Sequence, residues 1–489
     1  MMTLLLIIIP FLAGAVAFFI RNDFVRRRLI VACSGIHLCC ALVVGVKGAG
    51  VSLGRWFVFD AVGTIFLMIT SVLFFGASMY GVSYLADESR QAHSRDERSR
   101  TFSPEAVFSG CFLLFLSTMT MVIAGQHMAI IWVGIEATTL ASAPLLYFHR
   151  TKRSLEATWK YLLICSVGIA IALLGVFFLA VAQNNSSEMF VAAMVNNAAT
   201  MNVPWLEAAF LLLFVGYGTK MGLAPFHTWL PDAHSEAPSV VSALLSGALL
   251  NCAFLGIVRA YQVCAAAGLA AYCRELFVVF GLVSIVCAAV FILGQTDYKR
   301  MLAYSSIEHM GIIVLGMGLG AGAVPGAIMN MLGHSLTKAG LFFVAGNILS
   351  HFKTKKIAAI HGLAAGQTWC LGVLWMGGFL LITGMPPSAI FMGKFLVLKE
   401  ALSGGHYWVA FVFLAALALV FIGMARIFVA MTQGVAAQEE KRNNSRGAHA
   451  FWRLCVPAIF FIFVVCVGVY VPGWLASALG QAAKQLGGF

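Results

Sequence analysis

Eight ionisable side chains sit inside long apolar runs of this sequence, where charge is costly. Glu136 lies in Ile-Trp-Val-Gly-Ile-Glu-Ala-Thr-Thr, with Thr139 one helical turn further on. Lys220 lies in Gly-Tyr-Gly-Thr-Lys-Met-Gly-Leu-Ala-Pro-Phe-His. Glu308 and His309 are adjacent in Ser-Ser-Ile-Glu-His-Met-Gly, and His334 and Lys338 are four apart, so they share one helix face. Lys394 follows Pro386 and Pro387, and Arg426 stands in a later apolar run. Carboxylates, imidazoles and amines all bind and release protons. An ionisable group at mid-bilayer is a functional residue by default, and proton relays are one of its uses. A buried lysine suits a proton switch, because burial favours its neutral form and a nearby carboxylate its charged form. Two adjacent cationic sites at His334 and Lys338 repel when both are charged, which also favours a site that loses its proton.

Other readings stay open for several of these residues. Glu136 and Lys220 can form a fixed ion pair that only orients helices. His309 can be a satisfied interior histidine, Glu308 can face a helix end or loop, and Lys394 can sit at an interface. Arg426 can extend its head to the membrane surface while its stem stays in lipid.

Composition identifies the medium. The chain has 489 residues, of which 61% are hydrophobic and 10% charged. Its mean hydropathy is +0.93. An ordinary soluble domain is about 25% charged, so this balance excludes a soluble globular chain, a disordered chain and a disulfide scaffold. A polytopic all-α membrane protein remains, since the apolar runs are continuous and longer than the alternating segments of a membrane barrel. Spans are expected near 3–20, 29–46, 59–84, 106–124, 127–147, 159–182, 206–224, 239–261, 275–294, 303–321, 325–350, 369–391, 408–431 and 453–475, about fourteen helices. The run from Met1 to Ile20 has its basic cluster after it, at Arg21, Arg26, Arg27 and Arg28. A secretory signal has its charge first, so this run is read as the first span.

The net charge of +12 follows from topology. Loops after odd-numbered spans hold clusters such as Arg90/Arg95/Arg98/Arg100, Arg150/Lys152/Arg153/Lys160, Lys299/Arg300, Lys353/Lys355/Lys356 and Lys441/Arg442/Arg446/Arg453. Loops after even-numbered spans hold Lys47, Arg55, Arg259, Arg274 and Lys399, so the bias is about four to one. The positive-inside rule then predicts a multi-pass protein of the cytoplasmic (inner) membrane with both termini on the outer face. A nucleic-acid partner is not expected.

Cofactor chemistry is not expected in this chain either. The 12 cysteines lie mostly inside apolar runs, with no C-x-x-C pair and no zinc-type Cys/His spacing. Gly316-Met-Gly-Leu-Gly-Ala-Gly322 follows no strand and is read as close helix packing or a span end. No nucleophile–base constellation marks a free-standing enzyme.

Spacing suggests a duplication. Glu136 and Lys220 are 84 residues apart, Glu308 and Lys394 86. The acids fall in spans five and ten, the lysines in spans seven and twelve. Five spans separate equivalent positions, so the copies are inverted, and Pro225 and Pro386–Pro387 predict broken helices at 7 and 12. Both features are typical of transporters. The expected organisation is 1–100, an N-terminal three-helix segment; 101–265, a first repeat of helices 4–8; 270–432, a second inverted repeat of helices 9–13; and 433–489, a C-terminal loop and helix 14.

The run Thr219-Lys-Met-Gly-Leu-Ala-Pro-Phe-His-Thr-Trp-Leu-Pro-Asp-Ala-His-Ser-Glu-Ala-Pro-Ser-Val-Val-Ser-Ala-Leu-Leu-Ser-Gly247 resembles the antiporter-like subunits of respiratory complex I, of Mrp-type cation/proton antiporters and of membrane-bound hydrogenases. Gln295-Thr-Asp-Tyr-Lys-Arg-Met-Leu-Ala-Tyr-Ser-Ser306 is a second match, and the resemblance covers residues 100 to 430. It implies that Glu136 and Lys220 are the family's acid–lysine pair, that His334 and Lys338 are its central sites in the eleventh helix, and that Lys394 is the twelfth-helix residue at the outer exit. His309 matches a tenth-helix histidine of some members. The implied activity is proton transfer along the membrane midplane. The resemblance also implies that helix 8 is broken; several complex I subunits carry a lysine there, where this chain has Asn251, which can bridge waters but cannot store a proton. Ser246-Gly-Ala-Leu-Leu-Asn-Cys252 and Ser306-Ile-Glu-His-Met-Gly311 are similar to the hydrogenase-4/formate hydrogenlyase branch. No long lateral helix is expected after span fourteen.

The resemblance therefore implies a proton-translocating subunit of a membrane-bound [NiFe]-hydrogenase complex, with NiFe and iron–sulfur centres in partner subunits. A complex I subunit or an Mrp-type antiporter carrying sodium as well as protons is the alternative machine. A non-pumping membrane scaffold is the alternative of another class.

Overall fold

The computed structural model describes residues 2–48, 50–93, 104–184, 188–434 and 448–487. In lipid a backbone has no water to bond, so an unpaired span must satisfy its own N–H and C=O groups as helix. The N-terminal segment is α1 (Met2–Ala17), α2 (Asp23–Lys47) and α3 (Ala61–His93). Between α2 and α3 lies a small antiparallel hairpin, β1 (Val51–Leu53) and β2 (Phe57–Phe59), with Leu53 opposite Phe57. Next come α4 (Pro104–Ala124), α5 (Met128–Leu146), α6 (Lys152–Ala182), the short α7 (Val191–Asn196) and α8 (Val203–Met221).

The expected seventh span breaks after α8. Gly222 ends that helix in the left-handed region at φ 80°, Pro225 has no N–H to continue it, and the chain resumes as α9 (Trp229–Glu236). The eighth span is α10 (Ser239–Leu244), a π turn at Leu245–Leu249 and α11 (Leu250–Ala266). Its expected irregularity is thus a change of winding within a continuous helix. Then follow α12 (Ala270–Leu293), α13 (Tyr298–Leu319) and α14 (Val324–Phe352). The twelfth span breaks as the seventh does: α15 (Trp369–Thr383) ends at Gly384 with φ 86°, Pro386 and Pro387 follow, and Ser388 caps α16 (Ala389–Ser403) by accepting from Phe391 N. The chain closes with α17 (Tyr407–Thr432), α18 (Ala448–Val469) and α19 (Gly473–Gly487).

Ten of the described helical segments are long and apolar enough to cross a membrane. Residues 239–266 are wholly enclosed by other helices, and α13 and α14 are nearly so. Apolar side chains such as Leu163 and Val167 on α6, Phe411 on α17 and Ile462 on α18 point outward. In lipid such exposure carries no hydrophobic penalty. The enclosed helices therefore form an inner layer, and the polar groups of interest lie there.

The two ends of the bundle differ. At one end the described basic loops meet: Lys355 pairs with Glu236 (2.6 Å), Arg300 and Lys160 with Asp232 (3.0 and 3.1 Å), and Arg453 with Asp87 (2.7 Å). Arg95, Arg98, Arg100, Lys441, Arg442 and Arg446, which entered the charge count, lie outside the described residues. At the other end Arg259 grips Asp60 through two bonds of 2.6 and 2.8 Å, and Gln485 of α19 donates to the same carboxylate. The sequence reading had no helix for α19. Its buried residues Leu475, Leu479, Ala482 and Leu486 recur every three or four positions, the pattern of a helix with one packed face.

Candidate proton-transfer site

Three centres of buried and half-buried polar groups lie along the inner layer and the helices beside it. The first joins α5, α6 and α8. Glu136, Thr139 and Ser142 follow at intervals of three on α5, so they line one face. Lys220, two residues before the break at Gly222, is fully buried. Its ammonium donates to Thr139 Oγ1 (2.8 Å) and to the Tyr161 hydroxyl (2.6 Å). The Tyr161 and Ser142 hydroxyls are 2.6 Å apart. Glu136 accepts from Thr139 Oγ1 (3.4 Å) and from Ser166 Oγ (3.1 Å). The acid and the lysine therefore form a pair bridged by Thr139, not a direct ion pair. A hydroxyl donates and accepts at once, so Thr139 can carry a proton between them.

The second centre lies at the π turn and α14. Asn251 donates to Gly247 O (2.8 Å), a carbonyl of the π turn, and to Ser335 Oγ (2.9 Å). Ser246 and Ser306 share a hydrogen bond of 2.8 Å. His334 and Lys338 are both fully buried on one face of α14, and Lys338 Nζ donates to Leu302 O at 2.5 Å. Both ring nitrogens of His334, both of His234 and the Asn251 carbonyl oxygen have no hydrogen-bond partner among the described residues. Buried polar atoms of this kind are ordinarily satisfied by internal water.

The third centre surrounds the break between α15 and α16. The His309 ring lies 4.7 Å from that of His334. Its Nδ1 is 3.1 Å from Asn330 Oδ1 and its Nε2 3.1 Å from Ile382 O. Both neighbours are acceptors, so a doubly protonated ring satisfies both and a neutral ring only one. Lys394 Nζ donates to Glu308 Oε1 (2.9 Å) and to Thr383 O (3.2 Å). Ile382 and Thr383 are the last residues of α15, whose carbonyls have no helical partner. Two titratable donors thus bind successive carbonyls of one broken helix.

All six sequence-derived candidates, Glu136, Lys220, His309, His334, Lys338 and Lys394, lie in these centres. Glu308, left open from sequence, is buried in the ion pair with Lys394. Arg426 is exposed and donates to Leu293 O, as an interfacial arginine would. Tyr161, Ser142, Ser166 and Asn330 were not singled out from sequence, and His234 stood in a quoted motif without a role. Among the described residues no group of three or more His, Cys, Asp or Glu side chains could hold a metal ion.

The family model described as NADH:quinone oxidoreductase/Mrp antiporter, TM, matches residues 124–420, which contain all three centres. The Hydrogenase-4 component F homolog of Methylacidiphilum infernorum is 33% identical over 428 residues, covering 86% of each chain. NADH-quinone oxidoreductase subunit N of Desulforudis audaxviator is 28% identical over 415 residues, covering 83% of this chain and 79% of the relative. A chain of the membrane-bound sulfane sulfur reductase, an archaeal respiratory membrane complex, superposes with a TM-score of 0.85 over 99% of this chain and 97% of its own, at 20% identity, a likeness of fold. The chain belongs to the NADH:quinone oxidoreductase/Mrp antiporter membrane family.

Proposed function

We propose that this chain is the proton-translocating membrane subunit of a membrane-bound [NiFe]-hydrogenase complex, driven by redox chemistry in partner subunits. The observation that carries this reading is the line of titratable groups from the half-buried Glu136 through the buried Lys220, Lys338, His334 and His309 to Lys394. Hydroxyls and amides lie between them, and helix breaks flank both Lys220 and Lys394. Water joins the centres, and protons move between the titratable groups. The hydrogenase-type reading leans on the 33% identity to a hydrogenase-4 component homolog over 86% of each chain, with quinone-oxidoreductase subunits following at 28–30%. The basic end faces the cytoplasm by the positive-inside rule, which places the chain in the inner membrane with both termini outside.

The test is proton translocation by the purified complex in proteoliposomes. Lys220→Ala and Glu136→Ala abolish translocation while the complex assembles at normal levels. Full translocation in either variant refutes the assigned roles. Copurification of large and small hydrogenase subunits supports the hydrogenase-type machine. Quinone-reductase or Mrp subunits in their place assign the chain to those machines.

A further inference from the structure

A cavity of about 290 Å³ opens at the basic end, bordered by Tyr84, His149, Glu236, Lys299, Ser350 and Arg453 among others. Lys299 is only 1% exposed, yet it lines this space. Its ammonium donates to one backbone carbonyl, Ala237 O, at 2.7 Å. Among the described residues no carboxylate lies within ion-pair distance of it. A buried ammonium without a carboxylate is expensive to keep, and lysines in such places serve as proton carriers.

Its position connects the cavity with the central groups. Leu302, whose carbonyl takes the Lys338 ammonium, is three residues further along α13, about one turn deeper in the bundle. Ala237 belongs to the turn after α9, three residues beyond His234. The buried His234 ring stacks on Phe342 (centroids 5.4 Å apart, planes at 16°), and neither of its nitrogens has a hydrogen-bond partner among the described residues. Phe342 stands one turn from Lys338 on α14, on the side of the basic end. Lys299, His234 and Lys338 therefore rise in order from the cavity floor to the midplane.

A second cavity of about 380 Å³ lies alongside, bordered by Ala157 and Lys160 under the Tyr161–Lys220 centre. Ser235, Glu236 and Lys355 border both cavities, and the Glu236–Lys355 pair of 2.6 Å stands between them. This second cavity borders α6 one turn from Tyr161, whereas Lys299 lines the first cavity.

We propose that Lys299 takes up protons from this cavity and passes them by way of His234 to the Lys338–His334 centre. Hydronium in the cavity gives its proton to the Lys299 amine and leaves as water. The ammonium then gives a proton to the His234 imidazole and is again a neutral amine, and the imidazolium gives its other N–H proton to a neutral amine at Lys338 and is again neutral. This role rests on the reading of the chain as a proton-translocating subunit.

The decisive variant is Lys299→Arg in the intact complex, assayed in proteoliposomes beside Lys220→Ala. Arginine keeps the cation and can keep the bond to Ala237 O, but it does not release a proton. A structural role predicts wild-type translocation for Lys299→Arg; a carrier role predicts at least a tenfold slower rate with partner redox activity retained. A second variant reads the cavity itself. Ser350→Cys, modified by a bulky water-soluble maleimide from the basic end, slows translocation at least fivefold relative to the equally treated parent. Wild-type rates in Lys299→Arg, or in modified Ser350→Cys, overturn this assignment while Lys220→Ala stays inactive. If Lys220→Ala also translocates normally, the functional reading beneath it falls as well.

Discussion

The Glu308–Lys394 pair isolates what one buried charge does. Both side chains are almost wholly enclosed, with exposures of 1% and 8%, at a contact of 2.9 Å. Removing one partner strands the other in a low-dielectric interior, which costs about 3–5 kcal/mol. Removing both takes away the unmet charge together with the attraction. Glu308→Gln and Lys394→Met are therefore each expected to lower the thermal unfolding midpoint of the purified complex, and the double variant to recover most of that loss. All three are expected to fail in proton translocation. A double variant as unstable as the sum of the singles would show that the two residues do not act on each other. The titratable residues were legible in sequence because a charge inside an apolar run is conspicuous. The hydroxyls that link them were not. Serine and threonine in a helix commonly bond their own backbone one turn back, as Ser142 does to Thr138 O (2.7 Å), so their presence in a span says little. Glu308 stayed open because adjacent residues point to different helix faces: Glu308 turns to Lys394, His309 to Asn330 and His334.

At the level of helices, the two breaks were readable because proline and glycine leave a chemical mark in the sequence, at Gly222/Pro225 and Gly384/Pro386/Pro387. The π turn carries a weaker mark: Leu-Ser-Gly-Ala-Leu has one glycine and no proline, and the donor that reaches its Gly247 carbonyl, Asn251, lies beyond it. α19 was missed because moderate hydropathy hides a helix that packs one face only. The break at Gly384 yields a prediction with an internal control. Its φ of 86° is strained for any residue with a Cβ, and an added Cβ would lie 3.1 Å from Lys394 Cδ. Gly384→Ala is expected to cost about 1–2 kcal/mol and to slow proton translocation by displacing the Lys394 stem. Gly377, seven residues earlier in α15, has no positive φ, and a Cβ there meets nothing within 4 Å. Gly377→Ala is expected to leave translocation unchanged and to stabilise by up to about 1 kcal/mol. Midpoints shifted in the same direction would show that the break is not held by the geometry at Gly384.

The molecule as a whole is clamped at the end opposite its cavities. Sequence counted Arg259 among outer-loop cations, yet its side chain is 1% exposed and bound through Nη1 and Nη2 to Asp60. That contact joins the start of α3 to α11, and Gln485 adds α19 through a 2.8 Å bond. Loop arithmetic could place Arg259 on the correct end but could not pair it with a residue 199 positions away. Burial pushes the Asp60 carboxyl upward, but the Arg259 charge and its hydrogen bonds, with those from Gly63 N–H and Gln485, outweigh it and hold the group below the usual carboxylate value. A carboxylate whose folded value is depressed stabilises the fold fully above its unfolded value of about 3.9, and that contribution disappears as pH falls through the lower folded value. Asp60→Asn is therefore expected to lower stability at pH 7 by about 3 kcal/mol, the cost of stranding Arg259, and to open α19 to limited proteolysis. The gap between wild type and variant should begin to close only below about pH 4 in thermal unfolding scans. A constant gap down to pH 3 would mean that Asp60 holds the end together by shape and not by charge. Because this clamp lies away from the three centres, the variant separates rigidity from proton carriage. Translocation that survives in Asp60→Asn at permissive temperature places the work in the titratable groups alone, whereas its loss would make the clamped end part of the machine.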